Sequence, residues 1–181
     1  CHYVKGMVKN SYFEIPLNEG PNKIKSGTQI TIVATSYMSI ITLKLALLLK
    51  KFNINIEVFD LRTIRPLKLD KIYKSVKKTN NLITIDTGFK EFGVGAEITS
   101  LVMTHCFKFL KNAPIRMGLP SHPTPSSRGY IDSVYIKQID ILHSVNSILN
   151  ISKYKLDVII KYLKKEETVN DKPNEKFTGP F

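Results

Sequence analysis

Residues 30–61 read ITIVATSYMSIITLKLALLLKKFNINIEVFDL, and their pattern decides the fold. Ile30-Thr-Ile-Val-Ala34 is a short β-branched run of the kind that forms a buried strand. Ser36 or Ser39 is placed to cap a helix whose apolar residues run through Leu43, Leu47 and Leu48. Asn53 breaks that helix, and Ile54 to Leu61 reads as a second strand. A strand, a helix and another strand form the unit from which parallel sheets are built.

The pattern continues outward from this unit. After Pro66, Asp70 is placed as a helix cap, with Ile72 and Val76 at helical spacing behind it. Leu82-Ile-Thr-Ile-Asp86 is a third strand. Gly88, Gly93 and Gly95 loosen the connection to a helix from about Ala96 to Leu110, and Pro114 to Met117 is a fourth strand. Pro120, Pro123 and Pro125 make residues 118–130 an irregular loop before a helix from Ile136 to Leu149. Strands alternating with helices predict an α/β fold: a three-layer αβα sandwich with a mostly parallel sheet covered on both faces. Residues 1–29, punctuated by Gly6, Pro16, Gly20 and Pro21, are expected to be an extended lead-in to a domain over 30–150. In 151–181, Leu156, Ile159, Ile160 and Leu163 predict an amphipathic helix, followed by a polar end expected to be disordered.

Composition narrows the function classes. The 181 residues suffice for one domain with a sizeable core. Two cysteines, Cys1 and Cys106, exclude a disulfide-stapled scaffold and a four-cysteine zinc site. The longest apolar stretch, Ile40 to Leu49, is interrupted by Thr42 and Lys44 and is too short to span a bilayer. No signal peptide is read at the start, and a chain beginning at Cys1 is expected to be a fragment or a processed product. The formal charge of +12 invites a nucleic-acid reading. Ten basic residues between Lys44 and Lys78 face only Glu57, Asp60 and Asp70, yet they do not form the regular aromatic-interleaved pattern of a stacking platform. A solvated helix face is the expected role of these lysines.

The residue types that could carry chemistry do not form a self-contained set. Gly93-Val-Gly95-Ala-Glu97 opens a helix after a strand, where phosphate could be cradled. The third glycine of a dinucleotide pattern is replaced by Ile98, so close helix–sheet packing is the simpler reading. Asp86, Glu91 and Glu97 could meet as an acid/base group. Alternatively, Asp86 caps a loop and Glu97 complements the helix dipole. His2, His105, His122 and His143 have no metal-ligand spacing. Cys106 reads as a small core residue, and Ser126 and Ser127 lie in no nucleophile-elbow pattern.

Four segments in order carry a resemblance. They are Glu57-Val-Phe-Asp-Leu-Arg-Thr-Ile-Arg-Pro-Leu67, Ser75-Val-Lys-Lys-Thr-Asn80, Leu82-Ile-Thr-Ile-Asp86 and Phe92-Gly-Val-Gly-Ala-Glu-Ile98. Together with Tyr3-Val-Lys-Gly6, Ile15-Pro-Leu17, Ala113-Pro114 and Pro123-Thr-Pro125, they resemble the C-terminal, transketolase-like domain of 2-oxoacid dehydrogenase β subunits. The pyruvate dehydrogenase members are the most similar. A branched-chain member is an alternative, as is deoxyxylulose-phosphate synthase through Gly118-Leu-Pro120.

The resemblance implies part of a thiamine-diphosphate- and magnesium-dependent decarboxylase that releases carbon dioxide from pyruvate and acetylates lipoyl groups. It places the cofactor in an upstream domain and the α subunit, so no catalytic, cofactor or metal residue is assigned to this chain, which is expected to be inactive alone. What it leaves here is assembly with an α subunit and a second β subunit in an α2β2 heterotetramer, and docking of the dihydrolipoyl acyltransferase core. Membrane and nucleic acid are not expected partners, and the location is expected to be organellar, mitochondrial or plastid. Interface candidates are Arg62, Arg65, Pro66, Gly93, Gly95, Glu97, Lys111 and Asn112. Relatives carry an acidic residue before the Ala-Pro pair. With Lys111 and Asn112 there instead, either docking is altered or the partner's charge differs.

Overall fold

A computed structural model of the chain describes residues 20–123 and 134–166. The strands are β1 (Asn22–Lys25), β2 (Ile30–Ala34), β3 (Ile56–Asp60), β4 (Leu82–Phe89) and β5 (Ile115–Leu119). The helices are α1 (Tyr37–Lys50), α2 (Asp70–Thr79), α3 (Val94–Cys106), α4 (Gln138–Leu149) and α5 (Lys153–Glu166), and a 3-10 turn covers Phe107–Phe109. The sheet order is β1-β3-β2-β4-β5; β1 runs antiparallel to β3 and every other pairing is parallel. Helices cover both faces, so the expected three-layer α/β sandwich is the fold.

Side-chain alternation along the strands divides the core in two. On one face Ile30, Ile32, Ile56, Val58, Ile83 and Ile85 pack against Leu45, Ala46 and Leu49 of α1, Ile141, Leu142 and Val145 of α4, and Ile159 and Leu163 of α5. On the other face Val33, Phe59 and Leu82 meet Ile72 and Val76 of α2 and Ile98, Val102 and Cys106 of α3. Each fully buried aliphatic side chain here contributes about 1.5–3 kcal/mol. The helix ends are marked by residues in the left-handed region, Asn53 after α1, Asn80 after α2 and Asn150 after α4, where Asn is the best tolerated non-glycine residue.

Several boundaries differ from expectation. The stretch read as an extended lead-in supplies β1, an edge strand whose pairing partner lies more than thirty residues on, so local pattern does not reveal it. Neither expected N-cap forms a capping bond. Ser36 occupies the cap position of α1 without one, and Ser39 instead donates to Asp60 Oδ1 at 2.8 Å. Asp70 is the first residue of α2, behind Leu69, and acts there as a negative charge at the positive end of the helix dipole. β4 runs three residues beyond Asp86, and β5 extends through Gly118 and Leu119, which were expected to begin the irregular loop. α3 begins two residues before Ala96 and ends at Cys106, with the 3-10 turn taking it to Phe109. The helix expected after residue 150 is α5, and its Ile159 and Leu163 are buried in the main core. Residues 1–19, Ser126, Ser127 and the tail from 167 lie outside the described residues.

Candidate interface surfaces

The parallel register sorts the interface candidates onto opposite rims of the sheet. Arg62, Arg65 and Pro66 follow the carboxyl end of β3; Gly93, Gly95 and Glu97 follow the carboxyl end of β4. Lys111 and Asn112 precede the amino end of β5, on the rim where Asn80 and Asn81 lead into β4. Two surfaces are therefore built, and no single patch contains all eight residues.

The carboxyl rim is organised by Asp86. Thr35 Oγ1 donates to Asp86 Oδ1 at 2.8 Å and the Gly88 N–H donates to the same oxygen at 3.2 Å, so this carboxylate ties β2 to the β4 extension. That is the loop-capping role read from the sequence. Beyond it, Phe89, Glu91, Phe92, Ser121, His122 and Pro123 line a cleft of about 490 Å³. Phe92 has φ 54° and its side chain is fully exposed. Arg62 also has positive φ, at 63°, and is half-buried, whereas Arg65 and Pro66, joined by a cis peptide bond, are exposed. Sequence reasoning did not single out Phe92 as a surface feature; its burial state depends on how the loop leaves the sheet.

The glycines of this rim serve close packing. A Cβ at Gly93 would collide with the Phe89 carbonyl oxygen, and one at Gly95 would sit 2.8 Å from Thr84 Oγ1. Gly95 thus lets α3 lie directly on β4, leaving the Thr84 hydroxyl buried without a hydrogen-bond partner among the described residues. Glu97 is exposed in the first turn of α3, where a carboxylate complements the helix dipole.

On the amino rim the Lys111 N–H donates to the Asn80 carbonyl at 2.9 Å, and Asn112 Nδ2 donates to Asn81 Oδ1 at 2.8 Å. These bonds hold the backbone before Ala113-Pro114 while the Lys111 side chain stands exposed. The Asn112 amide is thus engaged within the rim.

Among the described residues no three His, Cys, Asp or Glu side chains gather as a metal site, and no helix is long and apolar enough to cross a membrane. Burial pushes the Cys106 thiol up, with a smaller opposing pull from Lys77; such a thiol is a core residue rather than a nucleophile. His105 packs against Tyr73 with ring centroids 4.7 Å apart.

One buried charge was missed in the sequence. Glu57 points from β3 into the α2 face, 1% exposed. Lys78 Nζ donates to its Oε2 at 2.5 Å, the Gly27 N–H donates to the same oxygen at 3.0 Å, and Lys23 Nζ lies 3.9 Å from Oε1. Burial works against the charge, but Lys78, Gly27, Ser75 and Lys23 outweigh it and hold the carboxyl below the usual carboxylate range.

Comparison with known proteins now adds identity to this geometry. Residues 21–140 match the family described as transketolase, C-terminal domain. The chain belongs to the transketolase C-terminal domain family. Among curated relatives of this domain, the mitochondrial pyruvate dehydrogenase E1 component subunit β of Mus musculus is 40% identical over 141 residues, covering 77% of this chain and 39% of that protein. The Rickettsia felis subunit is 45% identical over 103 residues, covering 56% and 31%. The chain thus spans about two fifths of the length of the curated relatives it matches. A split-gene transketolase, solved as an inactive β4 tetramer, superposes with a TM-score of 0.67 at 18% identity, covering 79% of this chain and 46% of that one, which shows the shared fold.

Proposed function

We propose that this transketolase C-terminal domain is the C-terminal part of the β subunit of a pyruvate dehydrogenase decarboxylase component. The observation that carries the reading is the 40% identity over 141 residues to a named pyruvate dehydrogenase β subunit. In this reading thiamine diphosphate and magnesium are held by an upstream domain and an α subunit. The chain contributes to an organellar α2β2 assembly and to docking of the acyltransferase core; the relatives from mouse, pea and yeast are mitochondrial proteins.

Division of labour follows from the two rims. The carboxyl rim, with Arg62, Arg65, Pro66, Gly93, Gly95, Glu97 and the exposed Phe92, serves subunit assembly. An exposed aromatic beside charged residues has the composition of an interface anchor. The amino rim, with Lys111 and Asn112, faces the acyltransferase, and its uncharged Asn112 favours a partner less dependent on a basic contact.

The test is reconstitution. The 181-residue chain with thiamine diphosphate and magnesium is expected to release no carbon dioxide from pyruvate. Its reading frame is expected to continue upstream into a pyrimidine-binding domain, and that longer product, combined with an α subunit, is expected to turn pyruvate over. Turnover by the chain alone, or an inactive longer assembly, overturns the proposal.

A further inference from the structure

A concavity of about 500 Å³ opens between α2 and the β1 edge of the sheet. Its lining includes Lys71, Lys74 and Lys78 from α2 and Lys23 from β1. The α2 lysines stand at i, i+3 and i+7, so one helix face presents all three. Glu57 forms the buried acidic floor, and it engages Lys78 and, more distantly, Lys23. Lys71 and Lys74 have no carboxylate partner among the described residues. Four lysines against one glutamate leave the lining at +3.

A solvated helix face explains exposed lysines but not their convergence on one hollow. Like charges at helical spacing repel, and a buried carboxylate here pins two ammonium groups toward the space the other two overlook. The volume suits a small molecule. Nucleic acid suits it less, because Phe59, the aromatic of the lining, is 2% exposed and offers no stacking face. We propose that this concavity binds a compact phosphate-class polyanion, with Lys71 and Lys74 as the principal contacts and Lys23 and Lys78 closing the charge. Lysine suits this role as a strong point charge for phosphate oxygens. The inference is independent of the decarboxylase reading.

Titrating the 181-residue chain with inorganic pyrophosphate by calorimetry tests it. Saturable one-site binding is expected, weakened on the order of tenfold or more in the Lys71→Gln/Lys74→Gln variant. Both side chains are exposed, so the variant is expected to keep its melting temperature. Lys161→Gln/Lys165→Gln removes the same charge from α5, on the opposite face of the sheet, and is expected to leave binding unchanged. No saturable binding, or equal weakening in both variants, overturns the site. Citrate binding as tightly as pyrophosphate overturns the phosphate class, and an oligonucleotide that binds more tightly and displaces pyrophosphate overturns the small-ligand assignment.

Discussion

The two faces of the sheet are built differently. Under α1, α4 and α5 the strands present Ile30, Ile32, Ile56, Val58, Ile83 and Ile85, an unbroken aliphatic surface. Under α2 and α3 the same strands present Thr31, Glu57 and Thr84 among the apolar residues, all buried. Thr31 Oγ1 lies 2.6 Å from both Ser75 Oγ and Thr79 Oγ1, so strand and helix are joined by a hydroxyl cluster as well as by packing. Hydrophobic burial is non-directional, whereas these hydrogen bonds and the Glu57–Lys78 pair demand one orientation of α2. The first face supplies adhesion; the second adds register.

The largest effect that would test this contrast is a cavity on the aliphatic face. Ile83→Ala is expected to lower unfolding free energy by about 2–5 kcal/mol in denaturant titrations, because a packed site cannot collapse fully around the loss. A smaller value than that of a matched substitution on the α2 face would break the contrast. Next comes the close approach at Gly95. Gly95→Ala is expected to cost about 1–3 kcal/mol through overpacking against the Thr84 hydroxyl. Thr84→Ala should recover part of that cost, with a coupling of about 0.5 kcal/mol or more in a double-mutant cycle; additivity would show that α3 simply shifts.

Thr31→Val removes the shared hydroxyl and leaves Ser75 and Thr79 without it, at an expected cost of about 1–2 kcal/mol. An unchanged midpoint would mean that the cluster gives no net stability. The most gradual effect is a pH dependence. Glu57 is held below its ordinary range, so the unfolded chain takes up its proton first on acidification. The associated stability is present above the unfolded carboxylate value of about 4.3 and is lost as pH falls through the lower folded value. Glu57→Gln should flatten that part of the stability profile measured by thermal melting.

Legibility in the sequence followed the same division. The aliphatic face announced itself, since Ile30–Ala34 and Leu82–Asp86 are β-branched runs and α1 repeats its apolar residues at helical spacing. The α2 face was only half readable. Ile72 and Val76 marked the helix, but Glu57 stood out only as one of three acidic residues among ten basic ones, and nothing local shows that Lys78, twenty-one residues on, would neutralise it. Caps failed for a related reason. Ser39 and Asp70 are good capping types, yet a serine spends its hydroxyl where tertiary contact offers a carboxylate, here Asp60.

The interface candidates divide likewise. Gly93 and Gly95 could be read as packing residues from their place between strand and helix, and the close contacts at both positions agree. Their separation from Lys111 and Asn112 onto opposite rims required the parallel register.

The order of strands and helices, the mostly parallel sheet and the family likeness were determined by the sequence alone, because periodicity and β-branching act over a few residues. The pairing of β1, the burial of Glu57 and the convergence of lysines were decided only by tertiary structure. Each depends on groups distant in the chain meeting where water is excluded, and no local pattern encodes that meeting.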